Sequence, residues 1–286
     1  MKRKTTSRRT TYNRKTKPNK SIFSKVLRFV VATSLGLLFL FGVYHYRDGL
    51  AYYLGFKSGK VLSEDEVDKH LSDVRNIQVL EKHKGKVVGI DVSEFQGIVD
   101  WGEIEIFEEK YPVQFVFIRA TAGNNRIDRQ FEHNWKGAKK YKIIRGAYHY
   151  YRPNENSIEQ ADFFIKTVKL QKGDLPPVLD IERLPKNQSL DSLKKGLKRW
   201  LNKVEAHYQV RPIIYTGERY YSDFLKEEFG EYLFWIANYN FYREKIEDDW
   251  LFWQFTEKAS LPGIKHRVDV NIYNGDLEQL QFITVE

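Results

Sequence analysis

At 286 residues the chain can hold one barrel-sized domain with a sizeable core plus an appendage, and two equal domains are disfavoured. Its formal charge of +9 sits at the beginning: residues 1–28 carry eleven Lys or Arg and no Asp or Glu, leaving 36 basic against 38 acidic residues in the rest. That near-neutral remainder argues against a nucleic-acid-binding domain, and the absence of cysteine excludes a disulfide framework, a thiolate metal site and a thiol nucleophile.

In chain order, residues 1–28 read as a basic cytoplasmic tail. Residues 29–46, from Phe29 to Tyr46, carry no formal charge and are largely apolar, enough to cross a bilayer core as a helix. The basic flank precedes this run, so the positive-inside rule keeps the N-terminus in the cytoplasm and places the rest of the chain in the periplasm or outside the cell. Membrane contact through this helix is therefore expected. A cleavable signal peptide is the competing reading, but the basic region is long for one and no small-x-small cleavage site comes after the apolar run. Tyr44, Tyr46, Tyr52 and Tyr53 would lie at the outer interface.

Residues 47–85 read as a stalk. Ser63 and Glu66 form a possible capping box ahead of Val67, Leu71, Val74 and Leu80 at helical spacing, predicting a helix that acts as a spacer.

From residue 86 to 286 short β-rich runs alternate with helix-length segments. Strands are predicted at 86–91, 114–119, 143–150, 177–182, 211–215, 233–238, 250–255 and 267–272, and helices near 129–141, 157–171, 189–208 and 217–229. The pattern predicts an α/β fold with a parallel sheet, closed as an irregular (β/α) barrel of about eight strands. The active site of such a barrel lies at the C-terminal ends of its strands, where Asp91, Asp180, Glu182 and Asp269 fall.

The run Pro176-Pro177-Val178-Leu179-Asp180-Ile181-Glu182 ends in two carboxylates two residues apart. On a strand they would share a face, and their repulsion would keep one protonated near neutral pH. A glycosidase needs such a pair, one acid to protonate the leaving oxygen and one anion to organise the developing positive charge. An isolated pair more often simply ends an edge strand at the surface.

Other segments bear on that choice. They are Gly89-Ile90-Asp91-Val92-Ser93-Glu94-Phe95-Gln96-Gly97 with Asp100-Trp101, Phe115-Val116-Phe117-Ile118-Arg119-Ala120-Thr121, Gly146-Ala147-Tyr148-His149-Tyr150, Trp235-Ile236-Ala237-Asn238-Tyr239, Trp253-Gln254-Phe255 and Val268-Asp269-Val270-Asn271. In this order, from about Val87 to Ile283, the chain resembles family 25 of the glycoside hydrolases, the muramidases or lysozymes that cut the β-1,4 bond after N-acetylmuramic acid in peptidoglycan.

The resemblance implies that Glu182 is the general acid/base and that Asp91, Asp180 and Asp269 are the other active-site carboxylates. Tyr148 and Trp235 match aromatic positions of the substrate groove, with Tyr239 and Trp253 as weaker matches, since an aromatic face buries the apolar side of a pyranose ring. Tyr150 and Phe255 are expected in the core. Arg119 either holds a carboxylate charged or ends its strand at the surface. Asp180 could orient the substrate acetamido group for internal attack with retention; the rival is a water activated by Asp91 or Asp269, with inversion. Where the family commonly has an acidic residue before glycine, this chain has Ala122-Gly123, which touches substrate contacts more than the chemistry. The implied partner is the peptidoglycan glycan strand. Alternatives are a non-catalytic wall-binding or scaffold protein on the same barrel, or a glycosidase for another N-acetylated glycan such as chitin.

Seven histidines lie scattered without a metal-ligand pair, and His149, in mid-strand, is read as a hydrogen-bonded core residue. With no phosphate-binding loop or serine elbow either, neither a metal nor a cofactor is expected.

Overall fold

The computed structural model describes residues 20–47, 64–104 and 110–286. Nine strands form one sheet: β1 Val87–Val92, β2 Phe115–Ala122, β3 Arg126–Ile127, β4 Ile144–Tyr150, β5 Val178–Asp180, β6 Ile213–Gly217, β7 Leu233–Ala237, β8 Phe252–Ala259 and β9 Val268–Tyr273. β1 pairs with both β2 and β9, closing eight strands into a barrel, while β3 is a two-residue addition to the edge of β2.

The sheet departs from the wholly parallel arrangement that the alternation of strands and helices predicts. β9 runs antiparallel to both β8 and β1. Only residues 260–267 separate β8 from β9, too few for the crossover a parallel neighbour requires, so the chain turns back on itself. Asp269 consequently stands at the beginning of its strand, and the reversal delivers it to the same mouth as the C-terminal ends of β1 and β5.

The helices are α1 Lys20–His45, α2 Glu64–Lys82, α3 Phe131–Lys140, α4 Ser157–Thr167, α5 Leu190–Tyr208 and α6 Leu277–Phe282. Helix α5 shows why the sequence folds here. Ser189 caps it by accepting from the Ser192 amide at 3.1 Å, and Leu193, Leu197, Trp200, Leu201 and Val204 form one buried stripe. The helix expected over 217–229 is instead a short turn, Glu218–Tyr220, passing into a π-helical turn, Tyr221–Leu225.

Side-chain parity divides the core into two layers. Outward residues such as Ile90, Ile118, Leu179, Ile236 and Trp253 pack with the helices, whereas inward residues such as Val87, Phe115, Phe117, Val178, Ile213 and Phe252 fill the lower barrel. Two inward glycines leave room for rings: a Cβ at Gly89 would lie 2.5 Å from the Phe115 ring, and one at Gly146 2.6 Å from that of Phe117. Leu280 of α6 joins the inner cluster, and the upper end of the barrel stays open.

The stalk reading needs correction at its C-terminal end. Val74, Ile77, Val79 and Leu80 of α2 are buried, and the Arg75 guanidinium donates to the Phe255 carbonyl at 2.5 Å and to the Asn240 carbonyl at 3.0 Å. Burial lowers its pKa to about 10, which leaves it charged at neutral pH. α2 is thus part of the folded unit. The expected capping residue Ser63, the tyrosines 52 and 53 and most of the basic tail lie outside the described residues. Ser24–His45 of α1 is long and apolar enough to span a membrane, with mean hydropathy 2.2.

Candidate active site

The open end of the barrel holds a cleft of about 500 Å³ that deepens into a pit of about 80 Å³. Asp91, Asp180, Glu182, Asp269 and Tyr148 line both, Tyr215 and Trp235 line the pit, and Arg119 lines the cleft. Strand parity gathers them: Asp91, Arg119, Tyr148, Asp180, Tyr215, Trp235 and Asp269 all occupy inward positions.

Asp91 and Asp269 are cross-strand partners on β1 and β9. Asp91 Oδ2 accepts from Gln254 Nε2 at 2.7 Å and from Asn271 Nδ2 at 2.8 Å, and Gln254 Nε2 also reaches Asp269 Oδ2 at 3.3 Å. A second set of bonds fixes these amides. Tyr215 and Tyr239 hydroxyls donate to Gln254 Oε1 at 2.7 and 2.5 Å, and the Trp235 indole donates to Asn271 Oδ1 at 2.7 Å. The amide orientations are therefore determined, with each N–H₂ turned toward the carboxylates.

Burial raises the Asp91 carboxyl to about 6 against the opposing hydrogen bonds from Asn271 and Gln254. Burial, with Asp91 next to it, raises Asp269 to about 9. Two buried carboxylates this close retain a proton between them at neutral pH. Burial also holds the Tyr148 and Tyr215 hydroxyls well above their ordinary range, which keeps them protonated as donors.

Asp180 ends β5 and is buried. Its Oδ1 has no hydrogen-bond partner among the described residues. Burial, then Glu182 and Asp91, push its pKa well above the usual carboxylate range, and Arg119 acts in the opposite direction. The backbone around it is pinned: Tyr151 N donates to the Asp180 carbonyl at 2.8 Å, and Ile181 N and the Ile181 carbonyl bond to Tyr215 O and Thr216 Oγ1. Glu182 sits just beyond the strand. The residue as a whole is exposed at the rim, yet its carboxyl lies along the cleft wall, where partial desolvation raises its pKa, Arg183 lowers it and Asp91 raises it.

Three expectations change. Trp253 has outward parity: it is fully buried against His83 and Phe255, its indole donates to the Asn238 carbonyl at 3.0 Å, and it does not reach the cleft. Tyr150, expected in the core, has inward parity and lines the cleft; Phe255 is core. Arg119 makes its close ion pairs with Glu94 and Asp128, both at 2.9 Å, rather than with any of the four cleft carboxylates. Trp235 is nearly covered, stacked on Phe117 with ring centres 4.4 Å apart, so it forms the floor of the pit. Tyr239 is partly exposed and joins the site through Gln254.

His149 is a core residue, accepting from Thr121 Oγ1 at Nδ1 (2.7 Å) and donating from Nε2 to Gln160 Oε1 (3.1 Å); burial lowers its pKa to about 3. Sequence reasoning missed Tyr215, Gln254 and Asn271 as site residues. The available signal was strand parity: Asn271 lies two residues from Asp269, and Gln254 interrupts an otherwise apolar buried run.

The model of the family "Glycosyl hydrolases family 25" matches residues 90–264. The chain is 38% identical over 197 residues to the uncharacterized protein YegX of Escherichia coli (strain K12), covering 68% of this chain and 71% of that one. It is 32% identical over 209 residues to Lysozyme M1 of Streptomyces globisporus, covering 68% and 70% respectively. A solved family 25 glycosyl hydrolase from Bacillus anthracis superposes with a TM-score of 0.63 at 28% identity, covering 70% of this chain and 94% of that one. A closed barrel with inward carboxylates at its open end, matched along most of its length by these relatives, makes the chain a glycoside hydrolase belonging to glycosyl hydrolase family 25.

Proposed function

We propose that this enzyme is a muramidase, hydrolysing the β-1,4 bond between N-acetylmuramic acid and N-acetylglucosamine in peptidoglycan, and that α1 anchors it with the barrel outside the cytoplasm. The observation that carries the mechanism is the buried, unpartnered Oδ1 of Asp180 beside Glu182. A buried acceptor without a donor is costly, and a substrate N–H would satisfy it.

In this reading Glu182, whose pKa is raised by desolvation and by Asp91, gives its proton to the leaving glycosidic oxygen as the C1–O bond breaks. Asp180 accepts the acetamido N–H and turns the acetamido carbonyl oxygen toward the anomeric carbon, which it attacks to form an oxazolinium ion. Glu182, now ionised, takes a proton from the water that opens this ring, giving net retention. Inversion would require Asp91 or Asp269 to activate a water. Asp91 is buried with Oδ2 already accepting two N–H bonds, and Asp269, raised to about 9, keeps its proton at neutral pH; an occupied oxygen on one and a retained proton on the other disfavour water activation and support the substrate-assisted route. The relatives Lysozyme M1 of Streptomyces globisporus and the "Autolytic lysozyme" of Clostridium acetobutylicum support the choice of substrate.

The test is muropeptide analysis of purified peptidoglycan digested with the chain, beside Glu182→Gln and with chitin as a second polymer. New reducing ends at N-acetylmuramic acid, formed with the β anomer first and reduced at least about 100-fold in the variant, are expected. Sedimentation with intact strands and no new ends would instead establish a binding protein, and preferential chitin cleavage would change the substrate.

A further inference from the structure

The cleft is electrically lopsided. Arg119, Arg126, Arg152 and Arg183 line the side built from β2 to β5, whereas Tyr215 and Trp235 form the pit wall contributed by β6 and β7. On the basic side, counting Arg129, five guanidinium groups meet three ion-pairing carboxylates, with Asp180 and Glu182 of the catalytic set at its inner edge. Glu94 takes Arg119, Arg126 and Arg129, Asp128 takes Arg119, and Glu155 takes Arg152 at 3.0 Å. Arg183 makes no ion pair among the described residues; its guanidinium carbon lies 5.9 Å from the Tyr150 ring centre, and it acts at range on Glu182.

Ala122 contributes to the imbalance. It pairs across β2 and β3 with Arg126 and lines the same wall, so a methyl stands where a carboxylate would neutralise the guanidinium. The held geometry also suits recognition: Arg152 is braced by Glu155 and by Asn125 Oδ1 at 3.3 Å, and Arg126 by the buried Glu94.

The two sugars of the proposed substrate differ in charge. N-acetylglucosamine is neutral, while the muramyl sugar carries a lactyl group whose carboxyl is free or continues into a peptide bearing further carboxylates. Guanidinium groups match carboxylates in bidentate fashion. Resting on the muramidase reading, we propose that Arg126, Arg152 and Arg183 form a recognition rim for the carboxylates of the lactyl-peptide substituent, fixing the direction in which the glycan lies across the cleft. The side contributed by β6 and β7, which brings no guanidinium to the cleft lining, then receives the neutral part of the strand.

Binding tests this separately from turnover. The full chain carrying Glu182→Gln, in detergent, is co-sedimented with peptide-bearing sacculi and with chitin at about 0.05 and about 0.5 M salt. We expect a preference for sacculi of at least about tenfold at low salt, weakened at high salt, and reduced to within about twofold by Arg126→Gln, Arg152→Gln and Arg183→Gln together. Ala122→Glu adds a carboxylate to the rim without removing an arginine and should cut the preference about threefold, so the test survives if the triple variant fails to fold.

In the active background the loss should appear in KM more than in kcat, with Arg126→Gln and Arg152→Gln leaving the alkaline limb of the pH profile in place; a role confined to tuning Glu182 would move that limb instead. Unchanged preference in the triple variant or in Ala122→Glu overturns the rim. A parent enzyme that cleaves chitin but not sacculi, or neither, defeats the muramidase reading, which the binding preference does not measure.

Discussion

Asp91 and Asp269 face one another across two strands and both point into the narrow pit at the barrel mouth, a placement that costs folding energy and serves chemistry. Proton counting gives the sign of that cost. A carboxyl whose pKa is raised on folding binds more protons in the native than in the unfolded state, so its contribution is full below about pH 4 and is lost as pH rises through the native value. For this pair the loss runs from about pH 4 up to about 9, the value to which Asp269 is raised. Asp269→Asn keeps a donor toward Asp91 and an acceptor toward Gln254 while removing the charge. It should raise stability at pH 7.5 by roughly 2 kcal/mol, visible as a Tm several degrees higher, with the gain shrinking toward pH 4. Activity on peptidoglycan should fall at the same time by about tenfold or more. An equal or lower Tm at pH 7.5 would show that the two carboxylates are not in conflict.

At the scale of elements, helix α2 decides where the folded unit begins. It covers the outer face of β8 with Val74, Ile77, Val79 and Leu80, and its Arg75 satisfies two carbonyls of the barrel. Burying such side chains is worth about 1.5–3 kcal/mol each before losses elsewhere. A chain of residues 86–286 should therefore melt at least about 10 °C below one of residues 64–286, or precipitate, in a thermal scan; matching melting curves would restore the spacer reading.

Helical spacing from Val67 to Leu80 made this helix legible in the sequence, but spacing does not say what an apolar stripe packs on. The barrel strands and four carboxylates were legible for a similar reason, since alternation marks strands and acidic residues at strand ends mark an open mouth. Facing was not carried through. A period of two puts Asn271 inside with Asp269 and Tyr150 inside with Tyr148, and it sends the neighbours Trp253 and Gln254 to opposite faces. The reversal of β9 was readable from the short interval after β8, yet alternating strands and helices drew attention to the parallel majority.

The whole molecule joins this barrel to a helix it does not bury. Ser24–His45 exposes apolar side chains along its length, including Phe29, Leu37, Phe39 and Phe41, and water is a poor solvent for such a surface. Helix α1, at 26 residues, reaches about 39 Å, which matches a bilayer core with its interfaces. Its C-terminal end meets the barrel: His45 Nε2 lies 2.7 Å from Glu244 Oε1, which also accepts from Gln78 of α2 at 2.7 Å, and the Tyr46 ring lies 6.1 Å from that of Phe241. Under the proposed anchoring, an enzyme held this way would work close to the lipid surface. Full-length chain expressed in bacteria should remain with membranes after alkaline extraction and retain its N-terminal peptides by mass spectrometry, while residues 64–286 should be soluble. Both should cleave short soluble glycan fragments within about twofold of each other, because the cleft lies at the barrel mouth and α1 contributes nothing to it. On suspended sacculi the vesicle-borne chain should be at least about tenfold slower, since the His45 and Tyr46 contacts hold the barrel beside α1 and so beside the vesicle. Recovery of the expressed protein in the aqueous fraction without residues 1–47 would establish a cleaved signal in place of an anchor.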